Sequence, residues 1–246
     1  MPGKFIGWGF VCLLWASPVS GAERVVDNNF HGWFNYFGDH PLGRSKWGVH
    51  LEGQYRRNDL ILRWQQLLLR PGINYEVNKS LMLTAGYANV RSYSYSDLSP
   101  ATPATREHRF WEQAIWKYRA GPAALNSRFR MEHRFLGSAN PAQPGYRFEN
   151  RFRAWEQITL PVKGKTYFTA YDEVWFYISP YVSKSVFDQN RAYVAAGFRV
   201  TPTVRIETGY MNQAVFQRSG LVQESNHTFM FSIFSNKPFT WGRSKQ

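Results

Sequence analysis

Several long segments of the sequence alternate between apolar and charged residues, and this period of two constrains the fold more than any other feature. In residues 125–136, one set of alternate positions holds Leu125, Phe129, Met131 and Phe135, and the other holds Arg128, Arg130, Glu132 and Arg134. Successive side chains of a β-strand point to opposite faces, so this strand has an apolar face and an ionic face. Residues 146–160 and 191–200 repeat the pattern, which indicates an all-β fold.

The lengths of these segments and of their connections indicate a transmembrane barrel. The alternation persists well beyond the ~5–6 residues that are usual for a strand in a globular sheet. Short connections also alternate with long ones, namely 77–80, 120–123, 161–165 and 201–203 against 94–106, 137–145, 179–190 and 216–224. Outer-membrane barrels have short turns at one end and longer loops at the other. We therefore predict an antiparallel transmembrane β-barrel in the outer membrane of a Gram-negative bacterium.

The number of strands follows from counting the alternating segments. They give ten strands between residues 45 and 234, and residues 30–37 would make an eleventh. Because bacterial single-chain barrels have even numbers of strands, we predict about ten, with twelve as the alternative. Residues 23–44 are then a periplasmic or edge segment, 45–234 the barrel, and 235–246 a polar C-terminal tail. The aromatic residues beside the long connections, which include Tyr93, Tyr95, Tyr146 and Trp175, are expected at the membrane interface.

The N-terminus has the three parts of a secretory signal peptide. Lys4 supplies positive charge, residues 5–15 are apolar, and Ser20-Gly21-Ala22 place small residues before the expected cleavage site. An apolar run of this length is too short to cross a bilayer as a helix. We expect residues 1–22 to be removed on export, and the single cysteine, Cys12, leaves with them. The exported chain is therefore not a disulfide scaffold.

The order of several short motifs resembles the domain-of-unknown-function family 2490 of Gram-negative envelope proteins. The motifs are Trp33, Trp47 with Glu52 and Arg56, Gly86-Tyr87, His108-Arg109, residues 128–134, Tyr171-Asp172-Glu173, Asn190-Arg191 and Gly209-Tyr210. The resemblance covers residues 28–234, nearly all of the expected mature chain. It implies an outer-membrane-type β-barrel and assigns no activity.

The ionic face of the strands should point into the barrel, because a charge facing lipid at the middle of the bilayer costs roughly 2–4 kcal/mol. The predicted lumen charge network consists of Glu52, Arg56, Arg128, Arg130, Glu132, Arg134, Arg147, Glu149, Arg151, Arg153, Glu173, Arg191, Arg199, Arg205 and Glu207. Two interpretations stay open. Arginine–glutamate pairs could hold neighbouring strands together as a structural filling, or the lumen could be a narrow, porin-like passage for small anionic solutes.

One pair of residues offers an enzymatic alternative, a lipid-directed hydrolase at the outer membrane surface. Ser225 and His227 are two residues apart in the last strand, so they share a face, and the His could activate the hydroxyl. The pair lacks an identifiable acidic partner, and we expect no catalysis. The histidines show no metal-ligand spacing and the chain no cofactor motif, so no metal or cofactor is expected.

The charge of the chain bears on its partners. A formal net charge of +13 ordinarily points to nucleic acid, but an exported barrel does not meet it. The expected partners are outer-membrane lipid and lipopolysaccharide, whose phosphates could pair with Arg44, Arg106, Lys184 and Arg218. We also expect contact with the barrel insertion machinery.

Overall fold

Eleven β-strands form the described part of the chain in this computed structural model, which covers residues 25–95, 103–178, 186–217 and 222–239. The expected signal peptide, residues 1–22, lies outside these ranges. The strands are β1 (Val25–Pro41), β2 (Trp47–Asn58), β3 (Arg63–Glu76), β4 (Leu81–Ser92), β5 (Thr105–Ala120), β6 (Ala123–Gly137), β7 (Tyr146–Pro161), β8 (Thr166–Ile178), β9 (Phe187–Arg199), β10 (Val204–Phe216) and β11 (Val222–Ser235). Within the same ranges, no helix is long and apolar enough to cross a membrane.

The strands close into one barrel in which each strand pairs with its neighbours in sequence and β1 pairs with β11. The pairing between β1 and β11 is parallel and joins residues 25–38 to residues 222–235. All the other pairs, such as β1 with β2 and β10 with β11, are antiparallel. An odd number of alternating strands leaves the first and the last pointing the same way, so the seam that closes this barrel has to be parallel.

The predicted strand number was wrong, because the barrel has neither ten nor twelve strands. Residues 25–41, expected within a periplasmic or edge segment, form β1, so the barrel begins at Val25 rather than at residue 45. The preference for an even number rests on antiparallel closure, which the parallel seam replaces. Polar side chains tie this seam together: Asn29 Nδ2 donates to Asn226 Oδ1 at 3.1 Å, and Asn35 bonds to Ser232 Oγ at 3.1 Å.

The alternation in the sequence decides which side chains enter the barrel. In β6, Arg130 and Glu132 are 2% and 0% exposed, whereas the adjacent Phe129 is 49% exposed. In β9, Arg191 is buried and Val194 is 58% exposed. The barrel therefore has a polar interior and a largely apolar outer wall, which is the arrangement that a membrane barrel requires.

The outer wall also carries a few polar side chains. His133 Nε2 lies 3.1 Å from Glu112 Oε1, and His133 Nδ1 lies 2.7 Å from Asn150 Oδ1. Asn190 Nδ2 donates to Asp172 Oδ1 at 2.9 Å. These hydrogen bonds offset part of the cost of placing polar groups on a face toward lipid.

The two ends of the barrel differ in the length of their connections. The turn end carries residues 42–46, 77–80, 121–122, 162–165 and 200–203, and the described residues of the loop end are 59–62, 93–95, 103–104, 138–145, 186 and 217. By the strand bounds, two to five residues separate consecutive strands at the turn end and four to twelve at the loop end. Gly121 has a φ of 57° in a two-residue turn of the turn end, a left-handed conformation that glycine adopts without steric cost. Because outer-membrane barrels place their longer loops outside the cell, we take the loop end as the outer end.

The described part of the predicted C-terminal tail packs on the turn end. Phe239 N donates to Pro41 O at 3.0 Å, and the Phe239 ring stacks on His40 with 4.5 Å between centroids. His40 Nδ1 also lies 2.8 Å from Lys237 O. The tail therefore adds contacts to the end of β1, while residues 240–246 lie outside the described ranges.

Glycines in β3 and β4 make room for an indole inside the barrel. Gly72 and Gly86 are register partners, and Trp111 of β5 lies against both of them. A Cβ on Gly86 would lie 2.3 Å from the Pro71 carbonyl oxygen and 2.9 Å from the Trp111 ring. The Trp111 indole, 1% exposed, therefore needs residues without side chains at positions 72 and 86.

Replacing Gly86 by valine is expected to destabilise the refolded barrel by about 1–3 kcal/mol, the usual cost of overpacking. The Pro71 carbonyl belongs to the backbone of a paired strand and cannot turn aside as a side chain would. The measurement is the urea midpoint of unfolding in detergent. Gly53→Val is the matched control, because a Cβ at Gly53 meets only Leu69 Cδ2, at 3.9 Å. An equal loss of stability in both variants would contradict the prediction.

Candidate functional site

Two cavities occupy the barrel interior as far as the described residues define it. The loop-end cavity has a volume of about 800 Å³, and the turn-end cavity has a volume of about 420 Å³. Five residues line both cavities, and we call this level the waist: Trp33, Gln54, Arg70, Arg153 and Arg191. Side chains that project from the strands therefore separate the two cavities.

Glu132 is the centre of the ion network near the waist and is 0% exposed. Its carboxylate lies 2.6 Å from Arg151 Nη2 and 2.8 Å from Arg153 Nη1. Arg70 Nη2 lies 3.3 Å and Arg109 Nη1 lies 3.7 Å from the same carboxylate. These arginines come from β3, β5 and β7, so one carboxylate joins strands that are not all neighbours in the sheet.

Two further glutamates extend this network across the barrel. Glu52 of β2 lies 2.8 Å from Arg70 Nη1, and Glu173 of β8 lies 2.8 Å from Arg153 Nη2. Arg70 and Arg153 therefore each bridge Glu132 to a second glutamate. Charge-assisted hydrogen bonds of this kind are roughly twice as strong as neutral ones, so the network fixes the arginines in place between β2 and β8.

Two indole rings separate the guanidinium groups near the waist. The guanidinium carbons of Arg153, Arg191 and Arg151 lie 3.7, 4.1 and 4.2 Å from the Trp175 ring centroid. Arg56 lies over the Trp33 ring at 3.7 Å. A cation above an indole face is attracted by the ring quadrupole. The rings therefore let several like charges share a small space.

Three buried arginines differ from the others because no carboxylate lies close to them. Across the described ranges, no carboxylate oxygen lies within 4.0 Å of Arg56 or Arg130, and Arg191 has only Glu173, at 4.0 Å. Arg56 Nε donates to Gln54 Oε1 at 2.9 Å, and Arg130 Nη2 also donates to a glutamine oxygen, at 2.6 Å. Neutral amides therefore hold these two guanidinium groups without neutralising their charge.

Both cavities are lined by more cationic than anionic side chains. The charged lining of the loop-end cavity consists of Arg56, Arg70, Arg106, Arg109, Arg134, Arg147, Arg151, Arg153 and Arg191 with Glu107, Asp188 and Glu224. The charged lining of the turn-end cavity consists of Arg70, Lys117, Arg128, Arg130, Arg153, Arg191, Arg199 and Arg205 with Asp39, Glu52, Glu173 and Glu207. An excess of fixed positive charge in a confined space attracts anions.

The residues predicted for the lumen network fall into three groups by burial. The buried members are Glu52, Arg56, Arg130, Glu132, Arg134, Glu149, Arg151, Arg153, Glu173, Arg191 and Glu207. Arg128 and Arg205 are partly buried, and Arg128 reaches Glu173 at 2.6 Å. Arg147 and Arg199 are exposed, each lining the cavity nearest to its end of the barrel.

The buried members of the network that the sequence prediction missed include Arg70, Arg109, Glu107 and Asp188, whose carboxylate lies 3.1 Å from Arg151 Nη1. Arg109 Nε lies 2.5 Å from Glu107 Oε1. Glu107 and Arg109 lie two residues apart in β5 and so share a face of the strand, and this spacing could have identified them. Arg70 follows the apolar run 67–69, where the period of two is lost, so only its pairing with charged neighbours reveals its place.

Two aromatic residues expected at the membrane interface lie inside the barrel instead. Trp175 is 4% exposed. Tyr95, just after β4, donates from Oη to Glu224 Oε2 at 2.6 Å and meets the His31 ring edge-on at 5.1 Å. Burial, and then the nearby Glu224, raise the pKa of Tyr95 well above its usual value, so the phenol stays protonated and remains a donor at the loop-end cavity.

Ser225 and His227 share an outward face of β11, but each contacts another residue. Tyr210 Oη lies 2.6 Å from His227 Nδ1, and Asn212 Nδ2 donates to Ser225 Oγ at 3.4 Å. The His227 ring also stacks on Phe30 at 5.4 Å. This arrangement gives no support to a nucleophile and base working together.

In the described ranges, no group of three or more His, Cys, Asp or Glu side chains is placed so that it could hold a metal ion.

The fold resembles a solved porin. The NanC porin in a rhombohedral crystal form matches with a TM-score of 0.50 and 10% identity, over 84% of this chain and 98% of that chain. OccK8 (OprE) of Pseudomonas aeruginosa matches with a TM-score of 0.35 and 12% identity, over 74% of this chain and 57% of that chain. The likeness to NanC shows a porin-like β-barrel fold.

The sequence has relatives over nearly its whole length. An uncharacterised protein of Methylorubrum extorquens is 25% identical over 233 residues, which cover 91% of this chain and 94% of that protein. The model of a family described as "protein of unknown function (DUF2490)" matches residues 30–225, a range that runs from β1 into β11. The chain therefore belongs to the DUF2490 family.

Proposed function

We propose that this protein is a narrow outer-membrane passage for small anionic solutes. The observation that carries the proposal is the lining of the loop-end cavity, where nine arginines face three carboxylates around about 800 Å³. A lumen with an excess of fixed cations raises the local concentration of anions and disfavours cations. The cavity volume falls within the ~300–1,000 Å³ of small-molecule sites, so whole solutes fit rather than single ions alone.

In this proposal, movement of the anion through the waist is the slow step of passage. An anion would leave the loop-end cavity by exchanging contacts with Arg191, which lines both cavities. It would then reach Arg130, which lines the turn-end cavity and has a neutral glutamine as its partner. Weak binding sites that follow one another along the passage allow conduction, because an ion must be able to leave each one.

A structural barrel without transport is the second candidate. The observation that favours it is the network around Glu132, which fills the level between the cavities and is closed to solvent. Side-chain filling of this kind is usual in narrow barrels. The two candidates differ in one measurable property, because only the first predicts an anion-selective current.

Export and membrane contacts complete the proposal. Residues 1–22 would direct the chain across the inner membrane, and the insertion machinery would then place the barrel. Arg106 lies at the loop end and Arg44 at the turn end. Only one of the two can therefore contact the lipopolysaccharide of the outer leaflet. On this placement Arg106 is the lipopolysaccharide contact and Arg44 faces the periplasm, while Lys184 and Arg218 lie outside the described residues.

In a planar bilayer with a salt gradient, the refolded protein is expected to give a small, steady, anion-selective current. Arg147→Glu should move the reversal potential toward cation selectivity, because Arg147 lines the loop-end cavity and the change replaces a positive charge with a negative one. Arg63→Glu is the control, since Arg63 pairs with Asp59 in the 59–63 segment and does not line either cavity. A silent bilayer with protein whose gel mobility shifts on heating would favour the structural barrel.

A further inference from the structure

We propose that Arg56 and Arg191 form a binding site for an oxyanion, a carboxylate or phosphate group of a small solute, on the loop-end side of the waist. Both residues line the loop-end cavity. The inference rests on the proposed function, because it names the place where a solute would be held during passage.

The Arg56 guanidinium is buried and held in a fixed orientation by neutral groups. Its Nε donates to Gln54 Oε1 at 2.9 Å and its Nη1 donates to Gln66 Oε1 at 2.7 Å, and the side chain lies over Trp33 at 3.7 Å. Arg56 is 8% exposed. These contacts orient the group but leave its charge without a counter-ion.

Arg191 has an even less complete set of partners. It is 6% exposed, and its nearest described carboxylate, that of Glu173, is 4.0 Å from Nη1. Arg191 Nε is buried and donates no hydrogen bond to any described residue. A buried donor without an acceptor is costly, so the hydrogen-bonding capacity of this guanidinium is not satisfied by the described residues.

The two guanidinium groups lie around the same indole. The guanidinium carbon of Arg191 is 5.1 Å from the Trp33 ring centroid, and that of Arg56 is 3.7 Å from it. The two carbons are therefore no farther apart than the sum of these distances. An oxyanion beside Trp33 could contact both groups, or one group directly and the other through water.

The surroundings of Arg56 and Arg191 differ from those of the arginines around Glu132. The arginines around Glu132 have a buried carboxylate at 2.6–3.7 Å, whereas no carboxylate of the described residues lies nearer than 4.0 Å to the pair at Trp33. A buried charge is stable when it is paired. Because guanidinium groups match the fork of a carboxylate or phosphate, an oxyanion carried by the solute would pair with both groups.

Isothermal titration of the refolded protein in detergent tests this site with three probes: gluconate, inorganic phosphate and sorbitol. Sorbitol is the neutral match of gluconate, with a hydroxymethyl group in place of the carboxylate. We expect gluconate or phosphate to bind and sorbitol not to bind. Gluconate alone would assign a carboxylate site, and phosphate alone would assign a phosphate site.

The variants Arg56→Gln and Arg191→Gln should each weaken anion binding by about tenfold or more, the usual effect of losing a hydrogen bond to a charged group. Arg63→Gln, outside the cavities, should leave the affinity unchanged. If a glutamine variant does not refold, Arg56→Lys and Arg191→Lys keep the charge, lose the fork and should weaken binding less.

Two outcomes would overturn the site. One is the absence of binding by either anion to the wild-type protein, and the other is wild-type affinity in both glutamine variants. The bilayer measurement separates this result from the proposed passage. An anion-selective current without a heat of binding rejects the site alone, whereas binding that depends on Arg56 and Arg191 without a current rejects the passage alone.

Discussion

The variant Glu132→Gln is expected to lower the free energy of unfolding of the barrel by about 3–5 kcal/mol, the usual cost of breaking a buried ion pair by removing one partner. The amide keeps the shape of the carboxylate but not its charge. Arg151 and Arg153, which lie 2.6 and 2.8 Å from Glu132, would then be buried with less compensation. Arg70 and Arg109 would lose a share of theirs at 3.3 and 3.7 Å.

The measurement is equilibrium unfolding in urea of the refolded protein, followed by the loss of the fast-migrating form on a gel. Glu76→Gln is the matched control: it makes the same change at the last residue of β3, where Glu76 is exposed at the turn end of the barrel. An exposed charge of this kind contributes about 1 kcal/mol or less, so the control should remain close to the wild type. Equal midpoints for the wild type and Glu132→Gln would show that the arginines are stabilised by their indole and amide contacts instead.

The wall of the barrel could be predicted from the sequence because a period of two is a local property of a strand. Residues 128–134 place charges at every second position, and β6 buries Arg130 and Glu132 accordingly. In β1 the inward positions include Asn29 and Asn35, so apolar and charged residues do not alternate there. The function of those amides, hydrogen bonding across a parallel seam, becomes visible only when the barrel closes.

The ion network could be predicted in composition but not in connectivity. Alternation assigns Arg153 and Glu132 to the interior, but their pairing depends on the register between strands. Arg70 and Glu132 are 62 residues apart in sequence and meet because the barrel is narrow. The inward indoles were missed for a related reason, because an aromatic residue near a strand end is also typical of the membrane interface. Trp175 lies among three arginines, and only the fold distinguishes the two roles.

Replacing Trp33 by alanine is expected to join the two cavities and raise the single-channel conductance several-fold. Trp33 lines both cavities at the waist and is 2% exposed, so its indole fills space between them. Removing a buried aromatic side chain costs about 3–5 kcal/mol, and the loss should appear as a lower urea midpoint. Arg56, which lies over the ring at 3.7 Å, would lose the surface that supports it.

The control for this change is Trp116→Ala, which removes an indole that is 56% exposed and lines neither cavity. Its conductance should equal that of the wild type. The direction of selectivity is informative as well, because Trp33→Ala leaves every arginine of the loop-end cavity in place. A larger current that stays anion-selective would identify the Trp33 ring as the barrier to an otherwise basic passage. An unchanged current in a folded Trp33→Ala barrel would place the barrier in the Glu132 network, where the arginines of β3, β5 and β7 converge.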